Sequence, residues 1–231
     1  MSTMPPTATP TPLPDLSHLG AAEFERVYEP SDDTYLLVDA LAADAERLRS
    51  LSAGVCIEIG CGSGAVVTHL AKLLPASSAL VLAGDVNPNA IAATAATAQR
   101  NGVAVQPVQM DLLSALRPGV VDVLIFNPPY VPTSEEELQY ALDHADISAA
   151  WAGGPRGRLV LDRLLPQLGT LLSPRGVFYL LGVRENAPDE IAALLREQGF
   201  MARTVAERRA QNERLFVMAF TREGGAGEGT T

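Results

Sequence analysis

Short apolar runs alternate with segments of helical periodicity along most of this chain, and few folds satisfy that alternation. The runs lie at Val55–Ile59, Ala79–Gly84, Val103–Val108, Val121–Phe126 and Val177–Val183. Brief, nearly continuous apolar runs predict strands buried on both faces, as in a parallel sheet. Ser31 is placed to cap a helix reaching about Ser50, with Leu36, Leu37, Ala40, Leu41 and Leu48 on one side. A second helix is expected to about Leu74. Pro88 opens a third, which Asn101-Gly102 stops after Arg100. Two more are expected from Gly157 to Leu172 and from Pro188 to Gln198, with a long loop over residues 128–156 and a turn at Ser173-Pro174-Arg175-Gly176. Repeated strand–helix units wind right-handed around a parallel sheet. The last two runs, Ala202–Ala206 and Arg214–Phe220, have almost no helix between them, so they are expected to close the sheet as an antiparallel hairpin at one edge. The expectation is an α/β chain: a seven-stranded, mostly parallel sheet with helices on both faces.

The 231 residues suit one domain with extensions. The start is rich in Pro and Thr and lacks an apolar pattern. Residues 1–20 therefore read as a disordered tail, 21–221 as the folded domain and the Gly-rich 222–231 as a second tail. Lys and Arg number 17 against 27 Asp and Glu, a net charge of −10. That field opposes phosphates, so no direct nucleic-acid partner is expected, and it favours a neutral or basic surface. Hydrophobic residues reach 47% and charged residues only 19%; an Ala- and Leu-rich core or an apolar face covered by a partner would each account for this. Cys56 and Cys61 are the only cysteines. They make neither a disulfide framework nor a complete zinc site, so no metal is expected and the compartment reads as reducing: cytoplasmic, with the nucleus as an alternative. No run approaches the ~18 apolar residues of a membrane span. The first arginine is Arg26, and no charged leader with an apolar core precedes it.

The run Glu58-Ile59-Gly60-Cys61-Gly62-Ser63-Gly64 joins a strand to a helix. Glycines there let the backbone approach a ligand, and the helix start offers free N–H groups. The G-x-G-x-G spacing at Gly60, Gly62 and Gly64 differs from the dinucleotide G-x-G-x-x-G and disfavours a pyrophosphate and an NAD-type oxidoreductase. Asp85 ends the second strand, 27 residues after Glu58, where a carboxylate accepts both hydroxyls of a ribose. Asp111 follows the third strand, in position to receive an adenine amino group. This set resembles the class I S-adenosylmethionine methyltransferases, a Rossmann-like family whose glycine loop cradles the amino-acid part of the cofactor. Val86 and Leu112, next to the two acids, belong to the same candidate set.

Asn127-Pro128-Pro129-Tyr130 follows the fourth strand, at the switch point where such sheets bind ligands. An amide or aromatic NH2 is a poor nucleophile, so a site must present acceptors to both N–H groups and aim the nitrogen. The Asn127 side-chain oxygen is one acceptor and the Pro128 carbonyl the other. The prolines Pro128 and Pro129 fix φ and remove competing donors. The Tyr130 ring gives a flat face for stacking. Alignment alone is worth roughly 7–11 kcal/mol of barrier. Asn127, Pro128 and Tyr130 are thus the catalytic candidates; Asn127, Pro128, Pro129 and Tyr130 are the substrate-binding ones, and Asn127 also stands among the cofactor-binding ones. Glutamine side chains and the amino groups of adenine or cytosine both fit this tetrapeptide.

Further segments narrow the choice: Tyr28-Glu29-Pro30-Ser31-Asp32-Asp33-Thr34, Trp151-Ala152-Gly153-Gly154-Pro155-Arg156-Gly157-Arg158, Leu172-Ser173-Pro174-Arg175-Gly176 and Glu185-Asn186. In this order and spacing the chain resembles the eukaryotic branch of the HemK family over about residues 24–221. The resemblance implies methylation of the glutamine of a Gly-Gly-Gln motif in the class 1 translation termination (release) factor. It also implies a heterodimer with a small zinc-binding activating subunit. Histone-lysine methylation and DNA or RNA adenine methylation are the alternative activities, and a non-catalytic stabiliser of the zinc-binding subunit is the alternative of another class. Tyr28 and Thr34 are expected to close over the cofactor, and Trp151 to line the substrate side. Arg156 and Arg158, like His69 and Lys72, read as surface residues. The third strand, 103–108, should be an outer edge that the zinc-binding subunit covers, with Pro107 limiting the pairing.

Overall fold

The computed structural model describes residues 11–76, 78–143, 147–210 and 213–222. Its helices are α1 Ala21–Phe24, α2 Asp32–Ala43, α3 Ala45–Ser50, α4 Ala65–Leu73, α5 Pro88–Arg100, α6 Glu135–Asp143, α7 Leu159–Leu164, α8 Leu168–Leu171 and α9 Pro188–Glu197. Its strands are β1 Val55–Ile59, β2 Leu80–Asp85, β3 Gln106–Gln109, β4 Val121–Phe126, β5 Leu172–Val183, β6 Phe200–Ala210 and β7 Glu213–Arg222. Among the described residues the strands form one sheet in the order β3-β2-β1-β4-β5-β7-β6. β1 to β5 pair in parallel, while β7 runs antiparallel to both β5 and β6. The expected mostly parallel sheet with a C-terminal hairpin is what forms.

Side-chain alternation divides the core between the two faces of the sheet. Cys56, Val123, Ile125, Tyr179 and Val217 join α2 and α4 through Leu37, Leu41, Val67 and Leu70. Ile57, Leu124, Phe126, Phe178 and Phe220 join α7, α8 and α9 through Leu164, Leu168 and Leu195. Both clusters are continuous, so the sheet is a rigid middle layer between two helical ones.

Several boundaries differ from expectation. The helix expected over 31–50 breaks at Asp44, whose carboxylate accepts from Tyr179 Oη at 2.8 Å. The turn at Ser173–Gly176 lies inside β5 as a bulge: pairing jumps from Val121–Leu172 to Val123–Val177. Asp122 holds that bulge, accepting from Ser173 Oγ at 2.6 Å and from the Gly54 amide at 2.6 Å. The loop expected over 128–156 contains α6. β3 begins at Gln106, and Val105, placed in the strand by its sequence, is buried before it. The N-terminal tail is expected to lack structure through residue 20, yet residues 15–18 lie on α5. The Asp15 amide donates to Asn101 Oδ1 at 2.8 Å and Arg100 Nη2 to Ser17 Oγ at 2.7 Å. Residues 1–10 and 223–231, the rest of the two expected tails, lie outside the described residues.

Candidate active site

Strand register assembles the site. Ile59 pairs with Gly84 on one side and Phe126 on the other. The next residue along each strand, Gly60, Asp85 and Asn127, therefore stands at the same carboxyl edge. β1 and β4 are also where the strand order reverses, so this edge opens at the topological switch point.

The glycine loop leaves β1 with Gly60, Gly62 and Gly64 at φ of +66°, +50° and +78°. A Cβ on Gly64 would lie 2.8 Å from the Thr94 Cα, so α5 packs directly on the loop. Thr94 Oγ1 donates to the Gly62 carbonyl at 3.1 Å and Thr97 Oγ1 to the Ser63 carbonyl at 2.7 Å. The two threonines thus tether two carbonyls of the loop to α5. Glu58 is 2% exposed and accepts from the Val67 amide at 2.8 Å, so it steadies the first turn of α4. Burial pushes its carboxyl well above the ordinary range, against the lowering effect of that hydrogen bond.

Asp85 is half-buried. It accepts from the Gly62 amide at 3.1 Å and from the Asn87 amide at 2.9 Å, and burial raises its carboxyl above the usual value. Val86 beside it is 62% exposed, an apolar surface next to a carboxylate that suits a base and its ribose. Asp111 lies exposed and ion-paired with Arg163. Leu112 follows it at φ +50°, a conformation that only a fixed backbone holds in a leucine.

Around Asn127 the polar groups converge on Asp33, which is 2% exposed. Asp33 Oδ2 accepts from Asn127 Nδ2 at 3.1 Å, from Tyr28 Oη at 3.1 Å and from Tyr130 Oη at 3.4 Å. The other carboxylate oxygen accepts from the Thr34 amide at 2.6 Å and the Thr34 hydroxyl at 3.2 Å. A carboxylate only accepts, so the Asn127 amide must turn its nitrogen toward Asp33 and its oxygen away. That oxygen, Asn127 Oδ1, is buried and has no hydrogen-bond partner. Burial, followed by the Asp33 charge, raises both the Tyr28 and Tyr130 phenols, so both hydroxyls stay protonated as donors to Asp33.

The far end of the tetrapeptide is clamped by Asn186. Its Nδ2 donates to the carbonyls of Tyr130 at 2.8 Å and Arg156 at 2.9 Å, and its Oδ1 accepts from the Val183 amide at 2.7 Å. Gly153 approaches the Pro129 carbonyl so closely that a Cβ would lie 2.5 Å from it. Trp151 is 39% exposed and lines a cavity of about 370 Å³ with Thr133, Glu136, Glu137, Tyr140, Ser148 and Ala152. The structure thus brings Tyr28, Thr34, Asn127 and Tyr130 together and leaves Trp151 in a cavity whose described lining omits Asn127. Of the residues expected at the surface, Arg158 is buried, with partners Asp162 at 2.7 Å and Glu190 at 3.1 Å. Arg156 also pairs with Glu190. His69 is 1% exposed, within α4, not on the surface.

Sheet order, glycine loop and edge-aligned carboxylate and amide are those of a class I, Rossmann-like methyltransferase. Residues 31–161 match the methyltransferase small domain family. A mouse protein named methyltransferase HEMK2 is 45% identical over 218 residues, covering 93% of this chain and 98% of its own length. The Schizosaccharomyces pombe protein named eRF1 methyltransferase catalytic subunit mtq2 is 38% identical over 224 residues, 91% and 96% of the two chains. The solved E. cuniculi Mtq2–Trm112 complex, described as responsible for methylation of the eRF1 termination factor, superposes with a TM-score of 0.64. It is 29% identical and covers 86% of this chain and 99% of that one. The chain belongs to the methyltransferase small domain family and, within it, to the eukaryotic HemK-family methyltransferases. It is a methyltransferase.

Proposed function

We propose that the chain transfers a methyl group from S-adenosylmethionine to the side-chain nitrogen of the glutamine in a Gly-Gly-Gln motif of the class 1 release factor. One observation carries the reading: Asn127 Oδ1 is a buried acceptor without a partner, at the edge where the glycine loop and Asp85 meet. The cofactor supplies an electrophilic sulfonium methyl group. The residues fit it: Asp85 offers oxygens to a ribose, Val86 an apolar face to a base, and the positive-φ glycines a close backbone approach. Tyr28 and Thr34 belong to the wall that Asp33 organises, Glu58 steadies the loop, and Asp111 with Leu112 borders the base side once Arg163 yields. Asn127 Oδ1 and the Pro128 carbonyl accept the two N–H groups of the substrate amide, with Tyr130 and Pro129 shaping the pocket and Trp151 lining its approach. A substrate carboxylate would bring acceptors against acceptors, at about 1–3 kcal/mol for each group left unpaired.

In this reading the chain is the catalytic subunit of a heterodimer with a small zinc-binding activator. The subunit adds along β3, the outer strand, where Gln106 and Gln109 are exposed. Support comes from the partnered state of the E. cuniculi relative and the name of the Schizosaccharomyces pombe one. Proline at 107 has no N–H, so pairing across β3 must be short. The net charge of −10 favours a protein over a nucleic-acid substrate. The test is co-expression with the activating subunit, then incubation with labelled cofactor and release factor, with the methyl group located by mass spectrometry. Label on the Gly-Gly-Gln glutamine is expected. Label only on lysine, or only on an adenine oligonucleotide offered in parallel, would refute the assignment.

A further inference from the structure

We infer that Asp33 is a positioning residue for methyl transfer: it decides which end of the Asn127 amide faces the substrate. The inference rests on the amide-methylation reading above. An asparagine amide is nearly symmetric in shape, so packing alone does not choose between its oxygen and its nitrogen. Here the choice is electrostatic. Asp33 Oδ2 receives Asn127 Nδ2 at 3.1 Å and two phenol hydroxyls, while Asp33 Oδ1 is occupied by the Thr34 amide at 2.6 Å. Asp33 is buried, so water does not replace these contacts. With the nitrogen captured, Asn127 Oδ1 is left without a partner, as a site that grips an NH2 group requires. Asp33 touches the Thr34 backbone at the first turn of α2 and the phenols on either side, so it holds two walls of the pocket as well as the amide.

The substitution Asp33→Asn separates this role from packing. The Thr34 amide needs an acceptor, so the new side chain keeps its oxygen there and presents its NH2 where Oδ2 was. Two NH2 groups then face each other. The phenols can rotate to accept, but Asn127 Nδ2 cannot, so the Asn127 amide turns over and offers a donor to the substrate. The reciprocal change, Asp33→Asn with Asn127→Asp, restores the pattern: one Asp oxygen accepts from the new Asn and the other faces the substrate.

The experiment uses the full chain co-expressed with the activating subunit, in three variants: Asp33→Asn, Asn127→Asp and the double exchange. In Asp33→Asn, kcat on the Gly-Gly-Gln substrate is expected to fall roughly 10- to 100-fold, as one mispaired buried group predicts. Circular dichroism and a cooperative melt like those of the wild type show that the variant is folded. The double exchange should recover about tenfold over either single variant. Nuclear Overhauser contacts between the Asn127 NH2 protons and the Tyr28 and Tyr130 rings, present in wild type, should vanish in Asp33→Asn. An unchanged kcat, additive losses in the double variant, or an unturned Asn127 amide would each overturn the inference. Wild-type protein that fails on the release factor sinks the substrate reading instead. The amide orientation, which needs no substrate, still decides the role of Asp33.

Discussion

At Gly157 the backbone has φ +65°, and a Cβ placed there would lie 1.8 Å from the Tyr130 carbonyl oxygen. Gly157→Ala therefore loads the last residue of the tetrapeptide from behind. To restore 3.0 Å, the closest approach real Cβ atoms make, the carbonyl must recede by about 1.2 Å. That motion breaks the Asn186 hydrogen bonds to Tyr130 at 2.8 Å and to Gly157 at 3.3 Å. Two such bonds are worth about 2 kcal/mol, and a left-handed alanine adds about 1–2 kcal/mol. A loss near 3 kcal/mol lowers the melting temperature by about 6–12 °C for a domain this size. Displacement of a substrate-positioning segment by about 1 Å costs on the order of 100-fold in rate. The glycine loop and Asp85 are untouched, so cofactor binding should persist. Differential scanning fluorimetry, calorimetry with the cofactor and a methyl-transfer assay measure the three effects. Wild-type melting and wild-type kcat together would refute the reasoning, because they would mean that the loop absorbs the methyl group without moving Tyr130.

Asn127→Ala should abolish methyl transfer by 100-fold or more while leaving cofactor affinity within a few fold, by calorimetry beside the labelled assay; parallel loss of both would place Asn127 in cofactor binding instead. Glu58 is buried with its carboxyl held well above the usual range by desolvation. A raised acid favours the fold while protonated, and its contribution is lost as pH rises through the folded value. Glu58→Gln should therefore gain melting temperature over wild type as pH rises above the ordinary glutamate range; a gain that shrinks as pH rises would contradict this. Burial, reinforced by Asp122, pushes the Cys56 thiol up to about 12. Burial, reinforced by Asp85, also raises the Cys61 thiol. Neither thiol should react with an aromatic disulfide reagent at pH 8 until denaturant is added, and a fast native-state reaction would refute this.

The sheet was legible in the sequence because its central strands carry uninterrupted apolar runs. β1, β4 and α5 start and stop where Ile59, Phe126 and Pro88 predict. In the sequence, the mixture of Arg203, Glu207 and Arg209 with small residues masks the full length of the edge strand β6. The three acids Glu135, Glu136 and Glu137 at its start make α6 look like a solvated loop, because its buried face is as small as Leu138 and Ala141. The glycine loop and the edge residues Asp85 and Asn127 were visible as types at strand ends, since the register of a parallel sheet aligns such ends automatically. Asp33 was not. Two adjacent acids at a helix start look like ordinary partners of the helix dipole, and only tertiary folding brings Asn127, 94 residues away, to one of them. Arg158 and His69 mislead for a related reason: polarity predicts exposure, but Arg158 is buried while reaching the more exposed Asp162 and Glu190, and His69 lies in a helix buried on most sides. Asn186 carries no chemistry of its own in the sequence, and its role exists only because three carbonyls converge on it.

The central claim is that an asparagine oxygen and a proline carbonyl hold the methyl-accepting amide. A crystal structure of the active protein with demethylated cofactor and a Gly-Gly-Gln peptide measures this directly. The account predicts the glutamine nitrogen within about 3.2 Å of both Asn127 Oδ1 and the Pro128 carbonyl oxygen, with Asn127 Nδ2 still on Asp33. A glutamine bound elsewhere, or Asn127 presenting its nitrogen to the peptide, would contradict it.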